Sequence, residues 1–77
     1  MVPTAEFETE LKVFEKNRRL WSNTHPGDYV VIQDNVVLEG FFKEYADAFK
    51  AGLMRFGVRQ PFLVKQIWFT EPVYFVA

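Results

Sequence analysis

The side chains best suited to chemistry in this chain of 77 residues are His25 and Asp28, three positions apart. An imidazole held by a carboxylate is the pairing of a general base, because the carboxylate fixes the ring's orientation. A nucleophile would have to stand beside it. The nearest hydroxyls, Ser22 and Thr24, fall where a helix should end, and the chain has no cysteine. His25 therefore reads as a solvent-exposed turn residue. No catalytic residue, cofactor or metal site is expected, and a very small enzyme using His25 and Asp28 is kept only as an alternative.

Charge is distributed unevenly. Asp28, Asp34, Glu39, Glu44 and Asp47 fall between residues 24 and 47, where Lys43 is the single base. Calcium loops set oxygen ligands at alternate positions around a glycine turn. These acids are spread along a hairpin and a helix, so their spacing argues against a cation site. Residues 48–70 reverse the sign, with Lys50, Arg55, Arg59 and Lys65 and no acid. The two segments carry −4 and +4. That asymmetry reads either as solvated surface neutralised internally or as head-to-tail complementarity with a partner or another copy, which salt would weaken.

Lys16-Asn17-Arg18-Arg19 beside Trp21 has the composition of a nucleic-acid contact, bases next to a stacking ring. The helix dipole gives a simpler account: Glu6, Glu8 and Glu10 come early and Lys16, Arg18 and Arg19 late. A net charge of −1 also argues against a nucleic-acid partner. The polar face of this helix balances four acids with four bases, which leaves little attraction for anionic lipid. No run approaches the ~18 apolar residues of a membrane span. The first residues lack a basic leader and an apolar stretch, so the expected location is cytoplasmic.

The elements that position these groups follow from periodicity. Residues 4–22 read as a helix, with Thr4 as N-cap and Phe7, Leu11, Phe14 and Trp21 as an apolar stripe that Leu20 widens. Glu8–Lys12 and Glu15–Arg19 are i,i+4 pairs in the favoured direction. Asn23, Thr24, Pro26 and Gly27 stop the helix. Residues 28–33 and 36–40 read as strands joined by Asp34-Asn35, both of which tolerate a left-handed turn. In that register Gln33 faces Val36, Val31 faces Leu38, and the Tyr29 ring covers Gly40. Val30, Ile32, Val37 and Phe41 occupy the other face, so the first strand is apolar on both sides and reads as central.

Residues 42–56 read as a second helix with Phe42, Ala46, Phe49, Leu53 and Phe56 on one face, capped by Gly57. Each of the isolated glycines is assigned a local backbone reason. Residues 62–69 read as a third strand, Thr70-Glu71-Pro72 as a turn, and residues 73–76 as a short edge strand. The expected fold is one α+β domain over residues 1–77, in the order α-β-β-α-β-β. It combines an N-terminal helix (4–22) with a β-β-α-β-β module (28–76). Its small, mainly antiparallel sheet has strand order 2-1-3-4, a right-handed split β-α-β crossover and helices packed on the sheet.

Pro26-Gly27-Asp28-Tyr29-Val30-Val31-Ile32 through Gly40, Ala48, Phe56-Gly57 and Pro61-Phe62-Leu63-Val64-Lys65-Gln66-Ile67 resemble a family of small bacterial and archaeal domains of unknown function. The shared pattern is a Pro-Gly turn, a hydrophobic hairpin, a helix and a Phe-Gly…Pro-Phe-Leu-Val strand, and it covers roughly residues 20–70. These motifs are structural. The resemblance implies no enzyme activity and points to small companions of other proteins, in some cases encoded near retropepsin-like aspartic proteases.

Fourteen aromatic residues, nine of them Phe, exceed what one small core should conceal. Phe41-Phe42 and Trp68-Phe69 are adjacent pairs, and neighbours on a strand or helix cannot both point inward. The expected function is therefore a non-enzymatic protein-binding or accessory module acting through an aromatic patch or a sheet edge. The candidate contact residues are Phe41, Phe42, Trp68, Phe69, Tyr74 and Phe75. The expected partner is a protein or a second copy in a homodimer, and the resemblance points to an aspartic-protease-like neighbour. A regulatory or antitoxin-like companion of a neighbouring enzyme is the second reading.

Overall fold

The computed structural model describes residues 7–68. Its elements run α1 (Glu8–Thr24), β1 (Tyr29–Gln33), β2 (Val36–Val37), α2 (Tyr45–Phe56) and β3 (Leu63–Gln66). The architecture is α+β, with a three-stranded antiparallel sheet in the order β2-β1-β3. The expected strand at 73–76, the turn before it and the Thr4 cap lie outside the described residues.

β1 is the centre of the sheet. Val30, Val31 and Ile32 are all fully buried. Alternation sends Val30 and Ile32 to one face, where they join Phe14 and Trp21 of α1 and Ile67 in the main core cluster. Val13, Val37 and Phe41 pack around that cluster. Val31 points to the opposite face, and α2 packs on β1 and β3. Each such side chain contributes about 1.5–3 kcal/mol when fully buried.

α1 runs further than its stop signals imply. Ser22 Oγ and Thr24 Oγ1 donate to the carbonyls of Arg18 and Leu20 at 2.6 and 2.9 Å. These bonds within the helix let polar residues complete the last turn. That turn consequently holds no base. Arg18 instead pairs with the Glu15 carboxylate one turn back, where Arg19 was expected, while the Glu8–Lys12 pair forms at 3.4 Å. Leu20 is 61% exposed and does not widen the apolar stripe. Glu10, read as part of the acidic first turn, is buried, and its Oε2 accepts the Asp34 backbone N–H at 2.8 Å. It ties α1 to the β1–β2 turn.

That turn has the expected pairing of Gln33 with Val36, but only Asp34 takes a left-handed conformation (φ 53°). The Leu38 N–H donates to the Val31 carbonyl at 2.9 Å. The ladder then breaks. A continuous register would set Gly40 opposite Tyr29, whereas Tyr29 exchanges both backbone hydrogen bonds with Phe42, at 2.7 and 3.0 Å. The returning chain bulges at Glu39-Gly40, so β2 is shorter than expected and the expected cover of Gly40 by Tyr29 is replaced. Phe42 is extended rather than helical, and α2 begins at Tyr45.

α2 also seats a different face than its aromatic spacing implied. Its fully enclosed positions are Ala48 and Gly52, one turn apart, while Ala46 and Phe49 lie outside. Gly52 has a packing reason, not a backbone one: an added Cβ would stand 2.7 Å from Phe62 Cδ2. Alanine should gain about 1 kcal/mol of helix propensity, against about 1–3 kcal/mol for forcing an extra carbon into a filled space. Gly52→Ala is therefore expected to lower stability in chemical denaturation, and Phe62→Leu in the same chain to recover part of the loss. A Gly52→Ala variant more stable than the parent would contradict this packing.

Candidate functional site

The turn that carries His25 and Asp28 is built by its backbone. The Asp28 N–H donates to the His25 carbonyl at 3.2 Å across Pro26-Gly27, and Gly27 has φ 83°. Proline at the first central position and a left-handed glycine at the second define a type II turn. The Gly27 N–H then donates to the Ile67 carbonyl, while the Ile67 N–H donates to the Asp28 carbonyl, both at 2.8 Å. Two residues thus oppose one, a bulge opened by a left-handed glycine. It locks the turn to the strand that ends the described sheet.

The geometry corrects the reading of His25 as a solvated turn residue. Its ring stacks on Phe41, with centroids 3.7 Å apart and planes at 12°. Phe41 meets Trp21 edge-on at 5.9 Å, and Trp21 meets Phe14 edge-on at 5.8 Å. The buried Asp28 carboxylate lies 3.5 Å from His25 Nδ1 and 3.2 Å from Lys43 Nζ. The His–Asp pairing is real, but its surroundings describe a fastening. The ring and the carboxylate clasp the segment carrying Phe41 and Lys43 against the end of α1. Both neighbouring hydroxyls are engaged within α1, Ser22 with the Arg18 carbonyl and Thr24 with the Leu20 carbonyl. Among the described residues no group of three or more His, Cys, Asp or Glu side chains could hold a metal ion.

The aromatic candidates separate into different environments. Phe41 is half-buried and belongs to the core margin. Phe42 is half-buried and bonded to β1. Trp68 is 44% exposed, with its ring 3.3 Å from where a Gly27 Cβ would be. Phe69, Tyr74 and Phe75 lie outside the described residues. The larger exposed aromatic feature is one that sequence reasoning missed. Tyr29, Tyr45, Phe49, Phe62 and Phe56 form a row with successive ring centroids 5.7–6.1 Å apart. Within it Tyr45 is 53% and Phe49 43% exposed. Phe49 and Phe56 belong to the face that periodicity assigns to the core, whereas Tyr45 lies outside that face.

Through Phe62 the row reaches the start of β3. Ile67 turns both backbone groups toward β1, so alternation directs those of Lys65 and Leu63 inward and those of Val64 and Gln66 outward. Among the described residues β3 has a strand on one side only. The Lys65 side chain lies on the α1 face, with Nζ 5.0 Å from the Phe14 ring centroid. Val64 and Gln66 therefore share the α2 face with the aromatic row.

Residues of both charge segments meet at two places. Ile32 pairs with Leu63, which sets the Asp34 turn at the same end of the sheet as the chain leading into β3. Along α2, Asp47 occupies the first turn and Arg55 the last, the order the helix dipole favours.

Comparison with protein-family models, with curated proteins and with solved structures finds no match in any of the three.

This partition has a measurable consequence. Phe41→Ala should remove a ring packed between His25 and Trp21 and cost about 2–3 kcal/mol, below the range for a fully enclosed Phe. Phe49→Ala, truncating a partly solvated ring, should cost about 1 kcal/mol. Urea titration of both variants tests the order, and a greater loss from Phe49→Ala would contradict it.

Proposed function

We propose that this chain is a small protein-binding module that takes an extended apolar segment of a partner protein against the aromatic row of α2 and the outer edge of β3. One conjunction supports this reading most strongly. Exposed Tyr45 and Phe49 belong to a ring row that reaches the start of β3 through Phe62, and the Val64 backbone groups face away from β1. Strand addition draws affinity from main-chain hydrogen bonds and selectivity from side-chain contacts on alternate residues. Tyrosine and phenylalanine supply large contact area to such a surface. The role is non-enzymatic, because the histidine and carboxylate hold the fold together.

Selection of a displayed random-peptide library on the full chain supplies the probe. The peptides recovered should alternate β-branched or aromatic residues, and their binding should be read by fluorescence anisotropy. Phe49→Asp and Val64→Pro should each weaken binding at least about tenfold, or ~1.4 kcal/mol. Proline at Val64 removes an outward N–H from an edge position, where folding tolerates it. Retained circular dichroism would verify folding. Failure to recover any peptide, or binding that ignores both substitutions, would overturn the proposal.

A further inference from the structure

We infer that the partner segment carries acidic residues on one flank of its apolar run, the flank that lies against Arg55 and Arg59. This rests on the docking reading given above and adds the charge and polarity of the partner to it.

The aromatic row is charged differently at its two ends. At the Tyr45 end stand Glu44, which precedes α2, and Asp47 in its first turn, both exposed. Lys43, the base before them, is engaged by the Asp28 carboxylate at 3.2 Å. At the other end the Arg55 guanidinium lies over the Phe56 ring, 5.3 Å from its centroid, and Phe56 and Phe62 close the row 5.9 Å apart. Arg59 stands on the chain that runs from the Gly57 cap to Phe62, and both arginines are exposed. Among the described residues neither has a carboxylate partner. Residues 48–68 contain no acid.

The α2 dipole accounts for the order of Asp47 and Arg55 along the helix. It does not account for Arg59, which lies beyond the cap, or for a guanidinium set on the last ring of a half-solvated row. A guanidinium resting on a ring keeps edge N–H donors for a carboxylate, which it can grip with two parallel bonds. An acidic flank at this end adds charge-assisted contacts to the apolar ones and steers the partner's approach. Acids at the Tyr45 end would meet Glu44 and Asp47 and be repelled. Single-stranded nucleic acid, the other polyanion that bases and rings take up, fits less well. Successive rings are turned between 20° and 80° to one another, so they offer no common run of faces for stacking.

Parallel selections from one displayed random-peptide library test the inference, on the parent chain and on the Arg55→Glu, Arg59→Glu double variant. Both substitutions fall on exposed positions, and the far-ultraviolet spectrum should be unchanged. In the parent pool Asp and Glu should be enriched on one flank of the apolar run by at least about threefold over the unselected library, a ratio that exposed ion pairs allow. In the variant pool Lys and Arg should take that flank. Acids absent from both flanks, equally frequent on both, or retained in the variant pool would overturn the inference. In each of these cases, peptides that still lose binding to Phe49→Asp would leave the docking reading intact. Recovery of no peptide would overturn both. Tighter binding of a labelled oligothymidylate than of any recovered peptide, lost in the same double variant, would overturn the inference in favour of nucleic acid.

Discussion

Val30, Val31 and Ile32 are consecutive and fully buried, and a strand turns consecutive side chains to opposite faces. Nothing else in the fold can satisfy that constraint except cover on both sides of one strand. α1 supplies it on the Val30–Ile32 face through Phe14 and Trp21, and α2 on the Val31 face. Because β1 must be central, β2 and β3 flank it, and the chain has to cross from β2 to β3 through α2. The order of the described sheet follows from three adjacent apolar residues.

Cover alone does not fix how the layers sit, and three polar devices supply that. Glu10 reaches from α1 to the Asp34 N–H. The Pro26-Gly27 turn bulges onto Ile67 and anchors the start of β1 to the end of β3. Asp28 holds His25 on one side and Lys43 on the other. Lys43 is largely solvated, so that ion pair on its own contributes little. The stacked His25–Phe41 contact, leading through Trp21 into Phe14, connects the fastening to the core. A residue pair whose spacing suggests a general base also ties the end of α1 to the segment carrying Phe41 and Lys43.

Much of this frame was legible from local chemistry. The Pro-Gly turn, the Gln33–Val36 pairing, the glycine cap of α2 and the centrality of β1 all follow from short-range rules that leave few alternatives. Glu10 was not legible, because its partner lies on a different element and surface acids in a first helical turn look alike. The bulge at Glu39-Gly40 was hidden for a similar reason: the contacts that accompany it, the Tyr29–Phe42 pairing and the His25–Phe41 stack, join separate segments. On α2, aromatic periodicity pointed to one face, but the close approach of Phe62 requires the small residues Ala48 and Gly52 at the interface. Large rings mark a core in most amphipathic helices; here close approach selects glycine, and the rings are displaced to the flank.

That displacement is the origin of the candidate contact surface. Rings that do not fit under α2 line up beside it, half in water, and reach the start of β3 through Phe62. Hydroxyl-radical footprinting of the intact protein reads this partition residue by residue. Tyr45 and Phe49 should be modified readily, while Phe14 and Phe41 are protected until the protein unfolds. Modification of Phe41 at the rate of Phe49 would mean that the His25 stack does not hold, and that aromatic residues are not sorted between core and contact surface as described.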